Sequence, residues 1–410
     1  MALVLAFGLV LLISVSLSGL AARSILSTAL LFLVAGAAIG PGGLGISSIG
    51  PSDTIVSLLA DIALFTVLFT DGQRACLPAL RENWRLSGRA LGLGMPLTMV
   101  GIAVPAHLLA GLDWPTAFLV GAILSPTDPV FAAALVGRSD VPLRLRRLLN
   151  VESGLNDGLA LPFVLIFLAT AQHTDSHLTE VFVELIGGLV IGGAVAAAVA
   201  LAWRLKWLTA EPRLQPLGPV AVAVIVYGGC HLTHANPYLA AFAAGSTLAT
   251  LDGMATDAYQ PFGELLSELT KFAALLVFGA LITLDRLGHL TWRQWLVPII
   301  AIVLVRPAAL MLSLLWTKLP ARERLSAAWF GPKGFASVVY GLLALQSGID
   351  HRGEVFDLVA ATIALSILLH STTDVPVAKV LRVDPPGDLP AGSSPPERRS
   401  EPSAAATGSG

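Results

Sequence analysis

Apolar stretches long enough to form a membrane-crossing helix of about 20 residues recur along this chain, separated by short polar loops. This pattern restricts the fold more than any motif, because each stretch needs lipid or other apolar stretches around it. Only 13% of the 410 residues are charged and 55% are hydrophobic, too little polar material to coat soluble domains of this length. The chain is predicted to be an all-α polytopic membrane protein. A net charge of −2, with no extended basic face, excludes a nucleic-acid partner. Cys76 and Cys230 have neither metal-ligand spacing nor the density of a disulfide scaffold. The opening MALVLAFGLVLLISV is apolar without a basic leader, so it is expected to be a retained first span.

Thirteen spans are predicted, at 2–20, 25–41, 54–71, 88–110, 114–136, 148–171, 178–203, 216–232, 237–252, 264–284, 294–317, 324–346 and 354–380. An odd count puts the termini on opposite sides. Loops assigned to the inside carry 17 Lys and Arg residues, among them Arg81, Arg85, Arg138 and Lys206. Those assigned outside carry only Arg286, Arg293 and Arg352. This bias places the N-terminus outside and the C-terminus in the cytoplasm, in the cell (plasma) membrane. Residues 1–382 form the membrane domain. Residues 383–410 are rich in Pro, Ser, Gly and Ala and are expected to be a disordered cytoplasmic tail.

Outside loops and tail, only Lys271, Arg306 and Lys333 remain as basic residues within spans. Ionisable groups at membrane depth are costly and mark sites. In Ser125-Pro126-Thr127-Asp128-Pro129, two prolines remove backbone donors and break the helix, which a bilayer tolerates only beside protein or a polar cavity. In Glu152-Ser153-Gly154-Leu155-Asn156-Asp157-Gly158, three- and four-residue spacings gather carboxylate, hydroxyl and amide on one helix stripe. Oxygen-rich clusters of this kind suit hard cations, and a carboxylate there can alternatively hold a proton. Arg306 is isolated in AIVLVRPAALMLSLLW and requires a carboxylate partner. Lys333 sits in the helix-breaking Gly331-Pro332-Lys333-Gly334. Lys271 is expected to snorkel at a span end or to pair with Glu268, three residues away.

The two breaks lie in spans five and twelve, which run in opposite directions. Paired interrupted helices in antiparallel halves point to an inverted-repeat secondary transporter with a midplane site. The run SPTDPV, then ESGLNDG, a lone Arg-Pro span, G-P-K-G and a final LLHSTTDVPVAKVL resembles the cation:proton antiporter-1 family, and within it the bacterial NhaP-type Na⁺/H⁺ antiporters. The resemblance covers residues 1–382. It implies two broken, crossing helices, a homodimer, and elevator-like movement of an ion-carrying core. It also implies that Asp157 is the shared cation and proton carrier and that Thr127, Ser153 and Asp128 line the site, with Asp157, Ser153 and Thr127 as Na⁺ ligands. Glu152 and Arg306 match a structural ion pair, and Asn156 before Asp157 implies electroneutral exchange. Two positions depart from the family pattern: Lys333 where arginine is usual, and Ser371 after His370 where glycine is usual.

The expected activity is exchange of a monovalent cation, Na⁺ ahead of K⁺ or Li⁺, for H⁺, with no cofactor and no enzymatic step. A cation channel would use the same polar spans but needs a continuous pore. An intramembrane aspartyl hydrolase would pair Asp128 with Asp157. The asparagine before Asp157 and the prolines around Asp128 argue against that pairing.

Overall fold

In the computed structural model the described residues are 2–21, 28–75, 86–128, 143–172, 176–205, 211–317 and 319–380, and all their regular structure is helical. The helices longer than five residues are α1 (Ala2–Ala21), α2 (Thr28–Ile39), α3 (Thr54–Arg74), α4 (Leu86–Ala110), α5 (Trp114–Leu124), α6 (Leu143–Ala171) and α7 (Ser176–Trp203). They continue as α8 (Leu217–Thr233), α9 (Pro237–Leu251), α10 (Gly253–Leu281), α11 (Trp292–Ser313), α12 (Ala321–Trp329), α13 (Phe335–Gln346) and α14 (Arg352–Val380). Six contain a stretch long and apolar enough to cross a membrane, in α3, α4, α6, α7, α11 and α14. Shorter apolar stretches of 10–17 residues lie in α1, α2, α5, α8 and α13. The tail at 383–410, Cys76, Arg81, Arg85, Arg138 and Lys206 lie outside the described residues.

Two bundles emerge from the packing. In the first, α10 lies against α2 and α3, α9 fills the space between α3 and α7, α8 leans on α7 and α9, and α1 covers α2. In the second, α5 runs between α4 and α6, α11 packs on α4, α12 packs on the end of α11, and α14 packs on α11 and α13. Their interface is made chiefly by α3 and α10 of the first bundle against α6 and α13 of the second.

Within the second bundle the sequence halves repeat a device. A five-residue π-helical segment occurs in α4 at Ala90–Gly94, just before Met95-Pro96, and another in α11 at Ala301–Val305, just before Arg306-Pro307. A proline inside a helix withholds one donor and crowds the preceding turn, and widening that turn relieves both. The two widened turns pack close to each other's helices, with Gly94 near Ser313 and Gly101 against Val305.

Both breaks are present, and their geometry departs from uninterrupted spans. The expected span 114–136 is helical only to Leu124, with Ser125–Asp128 outside any helix; Pro129 and residues to 142 lie outside the described ones. The span 324–346 divides into α12 and α13 around Phe330–Gly334. Helix ends leave backbone groups without intrahelical partners, and here side chains from other helices supply them. The Ser337 hydroxyl donates to the Ile123 carbonyl at 2.6 Å, in the last turn of α5. The amide of Lys333 donates to Ser366 Oγ of α14 at 2.9 Å. His370, on the same helix, lies 3.0 Å from the carbonyl of Trp329, which ends α12. The backbones also meet directly, the Asp128 amide donating to the Pro332 carbonyl at 3.1 Å.

Candidate functional site

The crossing point of the breaks collects the charged and polar residues singled out from the sequence. Asn156, on α6, donates its side-chain amide to both the carbonyl (3.0 Å) and the hydroxyl (2.9 Å) of Thr127. That pair of bonds holds the unwound segment after α5 against α6. The other end of the amide, Asn156 Oδ1, is buried with no hydrogen-bond donor among the described residues. Asp157 follows directly and is 3% exposed. Its backbone carbonyl accepts a 2.7 Å bond from the Tyr340 hydroxyl, which ties α6 to α13. Ser153 lies on α6 one turn earlier; its side chain is outside the described ones.

Asp128 occupies the middle of the crossing. One of its carboxylate oxygens, Oδ2, accepts from the amide of Phe335, the first residue of α13, at 3.4 Å. A carboxylate at a helix N-terminus is favoured by the unpaired amides and the helix dipole. The same oxygen lies 3.5 Å from Lys271 Nζ. Gly334 is required there by space alone, since a Cβ on it would collide with the Cβ of Asp128.

Lys271 corrects an expectation. It neither snorkels nor pairs with Glu268, which is exposed; it is buried on α10 and reaches across the bundle interface to Asp128. Apolar packing of α10 against α2 and α3 fixes which face of the helix turns inward, and that outweighs the weak preference of an i,i+3 pair.

Behind the crossing lies the second charged group. Arg306 Nη2 donates to Glu152 Oε1 at 2.5 Å, both side chains being almost completely buried. Gly331 leaves room for the guanidinium, which would meet any Cβ added there. Lys333 is also fully buried, and Arg306 and Glu152 are the charged groups that act on it. Its ammonium nitrogen, Glu152 Oε2 and Arg306 Nε have no hydrogen-bond partner among the described residues. Among the described residues the cation at ion-pair distance from Asp128 is therefore Lys271, while Lys333 has Arg306 and Glu152 as its charged neighbours.

One acidic residue was missed. Asp71, on α3, is buried and belongs to the electrostatic surroundings of Asp157 together with Asp128 and Lys271. Arg74 Nη1 lies 3.3 Å from it, and Arg74 Nη2 reaches Glu264 at 3.0 Å on the half-exposed rim. In sequence Asp71 closes an apolar run next to Arg74 and reads as a span end. The helix continues through it to Arg74, with Thr70 and Gln73 buried as well, and that buried polar turn was the available signal.

Three carboxylates thus gather at the bundle interface. Asp71 has Arg74, Asp128 has Lys271, and among the described residues Asp157 has no cation at ion-pair distance. A buried carboxylate without a fixed counter-ion can be neutralised by a small cation or by a proton. Crossed broken helices around such a group define a secondary transporter for cations.

The comparisons with known proteins agree with that class. A family model described as "Sodium/hydrogen exchanger, transmembrane" matches residues 8–380. The K(+)/H(+) antiporter NhaP of Alkalimonas amylolytica is 24% identical over 389 residues, covering 93% of this chain and 67% of that protein. A Na(+)/H(+) antiporter of Saccharomyces cerevisiae is 29% identical over 292 residues, 65% of this chain and 28% of its own length. Among solved structures, the sodium proton antiporter MjNhaP1 from Methanocaldococcus jannaschii, determined at pH 8, superposes with a TM-score of 0.78. It has 20% sequence identity, and the match covers 93% of this chain and 98% of that one. That likeness establishes the fold.

The chain belongs to the sodium/hydrogen exchanger family. It is a multi-pass membrane antiporter that exchanges a monovalent cation for protons, not an enzyme.

Proposed function

We propose that this antiporter exchanges one monovalent cation, Na⁺ or K⁺, for one H⁺, with Asp157 as the shared carrier. The observation that carries the reading is a buried carboxylate with no fixed cation of its own, placed where the two broken helices cross. Thr127 and Ser153 complete the oxygen set, and the unsatisfied Asn156 Oδ1 supplies a further buried acceptor. Asn156 cannot titrate and acts by fixing Thr127. Asp128 is tied to Lys271 and to the first amide of α13. Relatives named as K⁺/H⁺ antiporters and one named as a Na⁺/H⁺ antiporter support both cations as substrates.

The protein is read as a homodimer in the cell membrane with thirteen crossings, the N-terminus outside and the C-terminus cytoplasmic, and residues 383–410 as a cytoplasmic tail. The arginine-rich loops support that orientation. The second bundle carries the ion and moves against the first, which serves as scaffold.

Cation-dependent dissipation of an imposed pH gradient in proteoliposomes tests the exchange across Na⁺, K⁺ and Li⁺. Asp157→Asn is expected to abolish it with the fold intact, since the change removes an intramembrane charge without altering size. Near-normal exchange in that variant would move the carrier role elsewhere, to Asp128 first. Proton and cation compete for one group, so the apparent cation affinity of the wild type should weaken by up to about tenfold per pH unit on acidification. An affinity independent of pH would contradict shared binding.

A further inference from the structure

The ion pair between Lys271 and Asp128 joins charges from the two bundles at the crossing. Lys271 is on α10 of the scaffold, and Asp128 is in the broken helix of the ion-carrying bundle. Its ammonium lies 3.5 Å from Asp128 Oδ2, and Asp71 and Asp157 are its other acidic neighbours. Arg74 is the basic group that also acts on it. A lysine ammonium is a compact point charge on a flexible stem, with a single charge like that of the transported ion. It pairs with Asp128 and acts electrostatically on all three carboxylates.

We propose that Lys271 sets cation affinity: its ammonium, brought in by the scaffold, competes electrostatically with the transported cation at the carboxylates of the moving bundle. The inference rests on Asp157 being the cation carrier. Because Lys271 belongs to the scaffold, its charge acts on the site only while the two bundles face each other as they do here. Affinity is lowered in this conformation and recovers when the carrier bundle moves away, which favours cation release on the side to which this conformation opens. Lys271 is a positioning residue for charge and does not itself bind the ion.

The test is Na⁺ and K⁺ binding to the purified full-length protein by titration calorimetry at alkaline pH, where protons compete least. Lys271→Gln, and Lys271→Met with its apolar stem retained, are expected to tighten binding about tenfold, the scale of one screened charge interaction at this range. Lys271→Arg should stay within about twofold of wild type. A purely structural lysine would give the opposite sign, with weaker binding in every variant. Unchanged or weaker binding in a folded Lys271→Gln overturns the proposal. Failure of both neutral variants to fold also overturns it, by assigning Lys271 to bundle packing. Asp157→Asn, measured alongside, should not bind either cation; retained binding there would instead overturn the carrier assignment on which the proposal rests.

Discussion

Glu152, Arg306 and Lys333 form a buried group with one anion and two basic side chains, and this imbalance decides how each substitution behaves. Removing one partner of a buried ion pair typically costs about 3–5 kcal/mol, because the other charge is left uncompensated. Glu152→Gln strands the buried Arg306 guanidinium, which loses the acid it is paired with. Arg306→Ala leaves Glu152 with Lys333 still at hand. Glu152→Gln should therefore be the more destabilising of the two in equilibrium unfolding in mixed micelles. The double variant should recover part of the loss, and strictly additive effects would contradict the pairing. This isolation of Arg306 was legible in the sequence, since a guanidinium flanked only by apolar residues demands an acid. Glu152 was legible as its partner only through the family resemblance, because 154 residues separate them.

At the scale of elements, the crossing depends on two chain breaks meeting at van der Waals distance. Gly334 is the tightest point, because its missing Cβ is the space that Asp128 fills. Gly334→Ala should push the breaks apart, loosening the Asp128 amide from Pro332 and the Phe335 amide from the carboxylate. Exchange is expected to fall more than tenfold, with a stability loss of about 1–3 kcal/mol from the forced overlap. Ser337→Ala removes only the donor to Ile123 and should cost about 1–3 kcal/mol through the orphaned carbonyl, with exchange reduced much less. Comparable transport in the two variants would deny the crossing its special role. The breaks were readable because proline, glycine and intramembrane charge are local signals. Asp71 and Lys271 were not, because what brings them to Asp157 is the packing of α3 and α10 against α6 and α13. No spacing rule within one helix encodes that contact, and for Lys271 the local rule pointed to the wrong partner.

For the whole molecule, the decisive quantity is how much charge crosses the membrane per cycle. In the proposed mechanism Asp71 and Asp128 keep their cationic partners Arg74 and Lys271 in this conformation, and Asn156 cannot titrate. Asp157 alone exchanges its neutralising ion, one proton for one cation. Charge moved through the membrane couples to voltage at about 2.3 kcal/mol per elementary charge per 100 mV. A second titrating carboxylate would carry one net charge per cycle, and 100 mV would then displace the equilibrium cation gradient about 50-fold. One-for-one exchange predicts no displacement. With the proteoliposome potential set by a gradient of a permeant anion such as thiocyanate, with no K⁺ present and Na⁺ as the exchanged ion, the Na⁺/H⁺ equilibrium should stay fixed while the potential is varied. An equilibrium that follows the potential would bring Asp128 or Asp71 into the titrating set, since they are the other carboxylates that act on Asp157. The two differ in position. Asp128 belongs to the moving bundle and could carry its proton across, whereas Asp71 belongs to the scaffold and could only relay one. Asp128→Asn should then restore voltage independence in whatever exchange remains, and Asp71→Asn should not.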